Sequence, residues 1–348
     1  MKNPLYQVPA YLPDDSGCEQ CGAPDIIHGH PTPLCQRCRQ GFIRYPIPLL
    51  IKIFGAAIIA LVIYCCISFP SDLALGLHIT RGKKAESEKK FLTAQREFTK
   101  AAAKNPGDIE IQCHLALAAF NNMDLTAFSV IAEKLVGKSI GNDQLYRKVD
   151  DAMAKFNSYM PKDSMIELMK VHRNNIPDRS FKNYLSSHPD DIYAHFSYAS
   201  ILFDQNRFHP CDSILKNVLK VDAGYFPALR LMASLKREMN DYDGADKYCE
   251  ALLNINNEAG YAIASKARTR LKQKKDEEGL QLALQSVETD QQDPYNTATL
   301  ILAYHFNGEK DKCDALIEEC KNVNNEATRE FVLYATDVIS GKVPFRTK

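Results

Sequence analysis

The chain has 348 residues, and its 43 basic side chains balance 43 acidic ones, so the formal net charge is zero. This length suffices for two or three domains, and the balanced charge excludes net charge as the feature that selects a nucleic acid or an acidic membrane as partner. The eleven cysteines are odd in number and unevenly spaced, which argues against a disulfide scaffold.

Residues 1–46 contain two CxxC pairs, thirteen residues apart, in a segment rich in proline, glycine and aspartate. Such a segment has almost no apolar core, so it folds stably only if something crosslinks it, as four thiolates converging on Zn²⁺ would. A closed shell of four sulfurs leaves no open position for water, which predicts a structural rather than a catalytic ion. The predicted ligands are Cys18, Cys21, Cys35 and Cys38.

Two histidines between the pairs, His28 and His30, are alternative ligands, but the four cysteines already complete the shell. With its paired CxxC turns, the segment resembles the zinc-ribbon modules at the N-termini of many membrane and regulatory proteins. The resemblance implies a module that binds nucleic acid or protein, or that serves only as a folded cap. The basic residues near the end of the module suit anionic lipid headgroups at least as well as a nucleic acid. They are Arg37, Arg39, Arg44 and Lys52.

The apolar stretch Ile47 to Phe69 predicts a single transmembrane helix. At about 1.5 Å per residue, it is long enough to cross the roughly 30 Å hydrocarbon core with some tilt. Lys52 lies in the first turns, where its long side chain reaches the headgroups, and Pro70 is expected to end the helix. The alternatives are a secretory signal, which would lie nearer the start of the chain, and a buried core helix, which rarely needs so long an apolar run.

Residues 71–348 contain a succession of helical patterns that repeat every 34 residues, with no strand pattern between them. Repeat starts fall at Ile192, Phe226, Gly260, Pro294 and Thr328. The eighth and twentieth positions of the repeats are mostly small, which lets two helices approach closely. These positions hold Ala199, Ala233, Ala267, Ile301 and Ala335, then Cys211, Ala245, Gly279 and Cys313. Period and register together resemble the tetratricopeptide repeat (TPR), which implies an all-α, TPR-like solenoid of helical hairpins.

The stretch directly after the apolar segment resembles the same family most fully. Its glycine, aromatic, alanine and proline positions hold Gly82, Phe91, Ala94, Phe98, Ala101 and Pro106. A second repeat is predicted from Ile109. Between residues 142 and 189 the pattern degrades, with an extra helix expected around Leu145 to Met160, and residues 328–340 are expected to form a closing helix.

The resemblance to TPR arrays implies a concave surface lined by the first helix of each repeat, which binds a protein or peptide partner. Aromatic and basic residues alternate at the inner positions, a pattern that suits a peptide bearing carboxylates. The predicted groove residues are Tyr193, Phe196, Arg230, Arg237, Tyr261, Arg268, Lys272 and Tyr295. The Lys and Asn set with which some family members bind a chaperone's terminal carboxylate is not reproduced here.

The sequence contains no glycine-rich phosphate loop, GxSxG, HExxH or kinase signature. We therefore expect a membrane-anchored scaffold or adaptor rather than an enzyme. Two alternatives remain open at this point. One is a regulatory protein whose zinc ribbon contacts nucleic acid while the repeats sense a partner, and the other is a non-catalytic subunit of a membrane enzyme.

Basic residues flank the apolar stretch almost equally, with three on each side. Lys52 shifts the balance towards a cytoplasmic N-terminus. The zinc module favours the same orientation, because thiolates persist best in a reducing compartment. We therefore expect the repeats on the opposite side of the membrane.

Overall fold

The computed structural model describes residues 17–43, 47–172, 176–321, 323 and 325–346, without the side chains of residues 43 and 67–70. Residues 1–16 and 44–46 of the predicted module, Arg44 among them, lie outside this part. The described residues form helices and no strand. The helices are α1 Gln36–Ile43, α2 Leu49–Ser87, α3 Phe91–Lys104, α4 Ile109–Asn121, α5 Leu125–Leu135, α6 Asp143–Ser158, α7 Asp163–Val171, α8 Asp178–Ser187, α9 Ile192–Asp204, α10 Phe208–Val221, α11 Phe226–Glu238, α12 Tyr242–Ile255, α13 Gly260–Lys272, α14 Asp276–Thr289, α15 Pro294–Phe306, α16 Lys310–Lys321 and α17 Glu326–Ile339.

The chain divides into two compact units, residues 1–70 and 71–348. The described part of the first unit holds a small cysteine cluster and α1. Cys18, Leu34 and Cys35 are its buried side chains, with Ala23 and Ile26 packed beside them. Three buried side chains make a very small apolar core, as expected for a segment that depends on a crosslink for its stability.

One helix in the described residues, α2, is long and apolar enough to cross a membrane by length and composition, and its apolar part is exposed. The expectation that Pro70 ends this helix is wrong, because α2 continues to Ser87. Proline costs a helix one backbone hydrogen bond. Packing after the proline offsets that loss: Ala85 is buried, and Gly82 lies so close to the Phe98 ring that a Cβ would come within 2.8 Å of it. The last part of α2 is therefore the first helix of the first repeat.

The 34-residue period is confirmed by the helix boundaries. Four of the predicted repeat starts are the first residues of α9, α11, α13 and α15, and the predicted second repeat begins with α4. The closing helix begins at Glu326, two residues before its predicted start. The small positions are buried, and at Gly279 a Cβ would lie 2.6 Å from Leu271 of the partner helix. The second unit is thus a TPR-like solenoid of helical hairpins.

The backbone conformation of the turns within the hairpins also repeats every 34 residues. Each turn has one residue in the left-handed region of backbone conformation. The backbone N–H of the following residue donates to a carbonyl near the end of the preceding helix; the N–H of Lys275, for example, donates to the carbonyl of Arg270 at 3.0 Å. This is the Schellman arrangement, which satisfies carbonyls left free at a helix end. The left-handed residues are Lys89, Met123, Asn206, Asn240, Lys274 and Gly308. Their spacing of 34 residues, from 206 to 308, follows from one hairpin geometry used repeatedly.

The irregular stretch forms α6, α7 and α8, and α6 confirms the extra helix. An aromatic cluster next to α6 fills the interior of this part of the array. The ring centroid of Tyr159 lies 6.0 Å from Phe120, 4.6 Å from Tyr225 and 5.8 Å from Phe226. Phe120 and Phe226 belong to α4 and α11, so helices far apart in sequence meet across the interior. These rings fill the space between α4, the end of α6 and the start of α11.

A polar contact closes the array. The turn between α12 and α13 meets the turn between α2 and α3 through residues 254–258 and 88–93, which we call the closing contact. The backbone N of Asn257 donates to the carbonyl of Lys89 at 2.8 Å, and Asn256 Oδ1 accepts from the backbone N of Phe91 at 3.2 Å. Buried side chains from Ala85 to Ala262 form one core, and those from Ala267 to Phe345 form a second.

Candidate functional site

The four predicted zinc ligands lie together. The Sγ atoms of Cys18, Cys21, Cys35 and Cys38 are all within 4.8 Å of one another, and those of Cys21 and Cys35 are 3.6 Å apart. Tetrahedral zinc with Zn–S bonds of about 2.3 Å would place the sulfurs about 3.8 Å apart. The four side chains therefore fit one tetrahedral ion.

Local backbone structure explains why these sulfurs converge. After the first pair, Gly22 takes φ +72°, and its N–H donates to the carbonyl of Cys18 at 2.8 Å, which forms a tight turn around the two thiols. A residue without a Cβ adopts that backbone conformation at little cost. The second pair lies at the start of α1, where the backbone N–H of Cys38 donates to Cys35 Sγ at 3.5 Å. N–H groups directed at sulfur stabilise a thiolate.

The pKa values of the Cys18 and Cys38 thiols are shifted in opposite directions. Backbone N–H donation at Cys35 is the largest effect that lowers the pKa of Cys18, to about 6. Hydrogen bonds with Cys21 and Cys35 raise the pKa of Cys38 to about 12. Metal ions bind thiolates rather than thiols, so an ion at this cluster would favour the deprotonated form of each ligand.

Arg39, one of the basic residues of the module, is engaged within it. Its Nη2 donates to the carbonyl of Thr32 at 2.9 Å, while Arg37 is exposed. The guanidinium of Arg39 thus helps to hold the loop between the two CxxC pairs.

The predicted groove residues fall into groups with different surroundings. Tyr193 and Phe196 are half-buried and pack on the first core, where the Phe196 ring lies edge-on to Tyr225 at 5.6 Å. Phe196 therefore lies beside the aromatic cluster of Tyr159, Tyr225 and Phe226.

Four of the predicted residues form a continuous stack, which we call the arginine–tyrosine wall, in the order Arg230, Tyr261, Tyr295 and Arg268. Arg230 Cζ lies 3.7 Å from the Tyr261 ring centroid, the two tyrosine rings are 4.3 Å apart, and Arg268 Cζ lies 3.8 Å from the Tyr295 centroid. Stacking of this kind holds a guanidinium in place without a carboxylate. Among the described residues, neither arginine of the wall has a carboxylate at ion-pair distance.

Two of the predicted groove arginines are buried. Arg237 and Arg268 are each 5% exposed, and they bond to hydroxyl groups of neighbouring helices rather than facing solvent. Arg237 Nη1 donates to Ser265 Oγ at 2.9 Å, and Arg268 Nε donates to Thr299 Oγ1 at 2.8 Å. These side chains therefore connect adjacent repeats in this structure, and their part in binding a partner stays a prediction. Tyr295 is likewise 5% exposed, whereas Arg230 and Tyr261 are half-buried.

The charge of Arg230 affects the tyrosine beside it. Burial is the largest influence on Tyr261 and opposes its ionisation, but the charges of Arg230, Arg237 and Arg268 and a hydrogen bond with Ser234 together outweigh it and lower the pKa of that phenol. Burial raises the pKa of Tyr295 to about 12. Arg230 is the more accessible of the two arginines of the wall.

A cavity of about 810 Å³ lies beside Arg230 and Tyr261, and Arg96 and Lys100 of α3 form part of its lining. The closing contact brings α3 opposite these helices. Nothing in the sequence of residues 254–258 marks them as partners of α3, so the sequence did not reveal that the groove is bounded on this side. The remaining predicted residue, Lys272, pairs with Glu238 and lies over the Phe345 ring, at the edge of the array.

No protein-family model matches the chain, and no curated protein sequence matches it significantly. Among solved structures, PilF of Pseudomonas aeruginosa is 15% identical, covering 76% of this chain and 99% of its own, with a TM-score of 0.30. Yeast Tom70 is 15% identical, covering 72% of this chain and 60% of its own, with a TM-score of 0.37. The TPR domain of P58(IPK) is 12% identical, covering 78% and 99%, with a TM-score of 0.31.

Identities and TM-scores of this size say nothing about partners or activity. The TPR-like architecture is established by the helix boundaries and the 34-residue spacing of the left-handed turns.

Proposed function

We propose that this protein is a single-pass, membrane-anchored scaffold that binds partner proteins or peptides through its TPR-like array, with a structural zinc ion at its N-terminal module. The observation that carries the proposal is the half-buried guanidinium of Arg230, which lies beside a cavity of about 810 Å³ with no carboxylate partner among the described residues. Helical-hairpin arrays offer such concave surfaces to extended or helical segments.

The cavity has a mixed lining, with Asp290 and Asp293 as well as basic residues, and it is the guanidinium of Arg230, unpaired among the described residues, that suits a carboxylate of a partner. One face of the Arg230 guanidinium stacks on Tyr261, which leaves its N–H edge free to form paired hydrogen bonds with a carboxylate. Lys100, on the opposite side of the cavity, is exposed and pairs with Glu97 at 2.8 Å. Lys100 is the exposed member of this pair, so an acidic group of a partner can compete with Glu97 for its ammonium.

Zinc is proposed as a structural cofactor held by Cys18, Cys21, Cys35 and Cys38. When bound, the ion would supply the crosslink that a module with so few buried apolar side chains lacks. The four cysteines bind the ion, and the turn at Gly22 and the start of α1 orient their sulfurs. No step of chemistry on a substrate is assigned to this site.

For the membrane, we propose that the apolar part of α2 spans the bilayer, with the zinc module in the cytoplasm and the repeats on the opposite side. The thiols of the array permit this orientation. All five are buried, and burial raises the pKa of each; they are Cys113, Cys211, Cys249, Cys313 and Cys320. A buried thiol that stays protonated resists oxidation, so the array tolerates an oxidising compartment.

The partner-binding proposal is tested by photocrosslinking in intact cells. A photoreactive amino acid at Lys100 is expected to give one discrete adduct in the membrane fraction. Arg230→Glu in the same chain is expected to reduce that adduct about tenfold, because it replaces an attraction to a carboxylate by a repulsion. The matched control places the photoreactive residue at Asp243, an exposed position of α12. Equal adducts from both positions, or an adduct insensitive to Arg230→Glu, would contradict the proposal.

A further inference from the structure

The segment that follows α17 folds back onto the array. The turn at Gly341 has φ +78°, and the backbone N–H groups of Lys342 and Val343 donate to the carbonyl of Asp337 at 2.9 and 3.1 Å. Beyond this turn, Val343 to Arg346 form no regular secondary structure. Their position therefore depends on the side chains of Phe345 and Arg346.

The Phe345 side chain is held by stacking. It is 6% exposed, and its ring lies nearly parallel to that of Phe306, with 5.3 Å between centroids and 25° between planes. Lys272 Nζ lies 5.7 Å from the Phe345 ring centroid. A flat aromatic ring therefore fits between the end of α15 and the end of α13.

The Arg346 side chain is held by charge and by the same aromatic ring. Its Nη1 donates to Asp276 Oδ2 at 3.2 Å, and its Nη2 donates to Asp276 Oδ1, so the carboxylate binds the guanidinium through two hydrogen bonds. Arg346 Cζ also lies 3.7 Å from the Phe306 ring centroid. Lysine could form neither the paired hydrogen bonds nor the planar stacking, so these contacts are specific for arginine.

The surface that receives these two side chains extends beyond them. Glu238, Lys272 and Phe306 are the last residues of α11, α13 and α15, so they recur at the 34-residue period of the array. A cavity of about 200 Å³ remains between Pro344 to Arg346 and the side chains of Glu238 and Lys272. The segment therefore does not fill the available surface, as expected if the surface also receives a longer chain.

We propose that the ends of α13 and α15 form a docking site for an extended segment of a partner protein in which arginine follows an aromatic residue. Phe345 and Arg346 of this chain occupy the site in cis. A tethered segment has a high effective concentration, so a free partner binds only when it outcompetes Phe345 and Arg346 or when they have been displaced. The site is separate from the arginine–tyrosine wall and involves neither the zinc module nor the apolar part of α2.

The test uses the full chain, purified in detergent, and an amidated, fluorescein-labelled peptide with the sequence of residues 341–346, followed by fluorescence anisotropy. The Phe345→Ala/Arg346→Ala chain is expected to bind the peptide at least tenfold more tightly than the wild type, whose own segment competes. Adding Asp276→Asn to that chain is expected to weaken binding about tenfold. Adding Glu277→Gln, the same loss of charge at the neighbouring exposed residue, is expected to change nothing.

Loss of the buried Phe345 ring also removes packing from the second core, so Arg346→Ala alone is measured in parallel. This chain keeps the ring and is expected to bind the peptide more tightly than the wild type by a smaller factor. Equal peptide affinity of the wild type and the Arg346→Ala chain, or binding that Asp276→Asn leaves unchanged, would overturn the proposal. Residues 343–346 would then only pack against the array and would not occupy a binding site.

Discussion

Glu258 caps the first turn of α3 although it lies 165 residues beyond Thr93, whose backbone N–H and hydroxyl donate to the Glu258 carboxylate at 2.8 and 2.6 Å. The residue before α3, Lys90, makes no capping hydrogen bond through its own side chain. The free N–H groups at the start of this helix are thus satisfied by a distant turn. Because of this contact, α3 stands opposite Arg230 and bounds the cavity on that side.

Replacing Glu258 by alanine is expected to loosen the closing contact. Loss of a helix cap costs about 1 kcal/mol, and the backbone amides at the start of α3 should exchange faster with solvent. Hydrogen exchange of the full chain, read from peptides that cover residues 91–98, measures this. Glu288→Ala removes an exposed carboxylate of α14 and serves as the control. Unchanged exchange at α3 in the Glu258→Ala chain would show that the contact contributes nothing to closure.

A glycine at Lys274 is expected to stabilise the array by about 1 kcal/mol. Lys274 has φ +61°, where an L side chain is strained and glycine is not. Gln273→Gly, at the neighbouring residue with φ −73°, should instead destabilise the array by a similar amount, because it only adds freedom to the unfolded chain. The midpoints of thermal unfolding of the two variants should therefore move in opposite directions from that of the wild type.

Acid is expected to weaken the contact between α2 and α3 through Glu97. Hydrogen bonds from His78 and then Lys100 hold the pKa of this carboxyl below its usual value. Because the pKa of Glu97 is lower in the folded than in the unfolded chain, the ionised Glu97 side chain stabilises the fold above about pH 4.5. This contribution is lost as the pH falls below that value. Urea unfolding between pH 7 and pH 3 should show a smaller loss of stability in Glu97→Gln than in the wild type. Parallel curves would contradict this assignment.

One zinc ion per chain is expected on elemental analysis of protein purified without chelator. Cys35→Ser combined with Cys38→Ser should abolish it, because each CxxC turn supplies two of the four sulfurs. Cys65→Ser combined with Cys66→Ser removes two thiols of α2 that lie outside the cluster and should retain full zinc content. Zinc retained without Cys35 and Cys38 would require other ligands, of which His28 and His30 are the nearest in sequence.

The sequence predicted the regular hairpins well, because each repeat buries its small residues against its own partner helix. Ala233 and Ala245 are fully buried, as their positions in the period require. Four repeat starts coincide with helix starts for the same reason. These contacts are local, so periodicity alone is enough to find them.

The sequence did not predict how the array closes on itself. The contact of Glu258 with Thr93 depends on the path of the chain through α6 to α8, where the period is lost. The burial of Arg237 and Arg268 depends on hydroxyl groups supplied by the next repeat, such as Thr299, which the position of an arginine on its own helix does not reveal. The continuation of α2 past Pro70 likewise depends on packing against α3.

The most direct test of the membrane-anchored scaffold is protease protection of intact cells or spheroplasts that express the chain with one tag before Met1 and another after Lys348. We predict that external protease removes the second tag, while the first remains on a protected fragment that alkaline carbonate does not extract from the membrane. Protection of the second tag would reverse the orientation and place the array in the cytoplasm. Extraction of the intact chain by carbonate would contradict the transmembrane anchor itself.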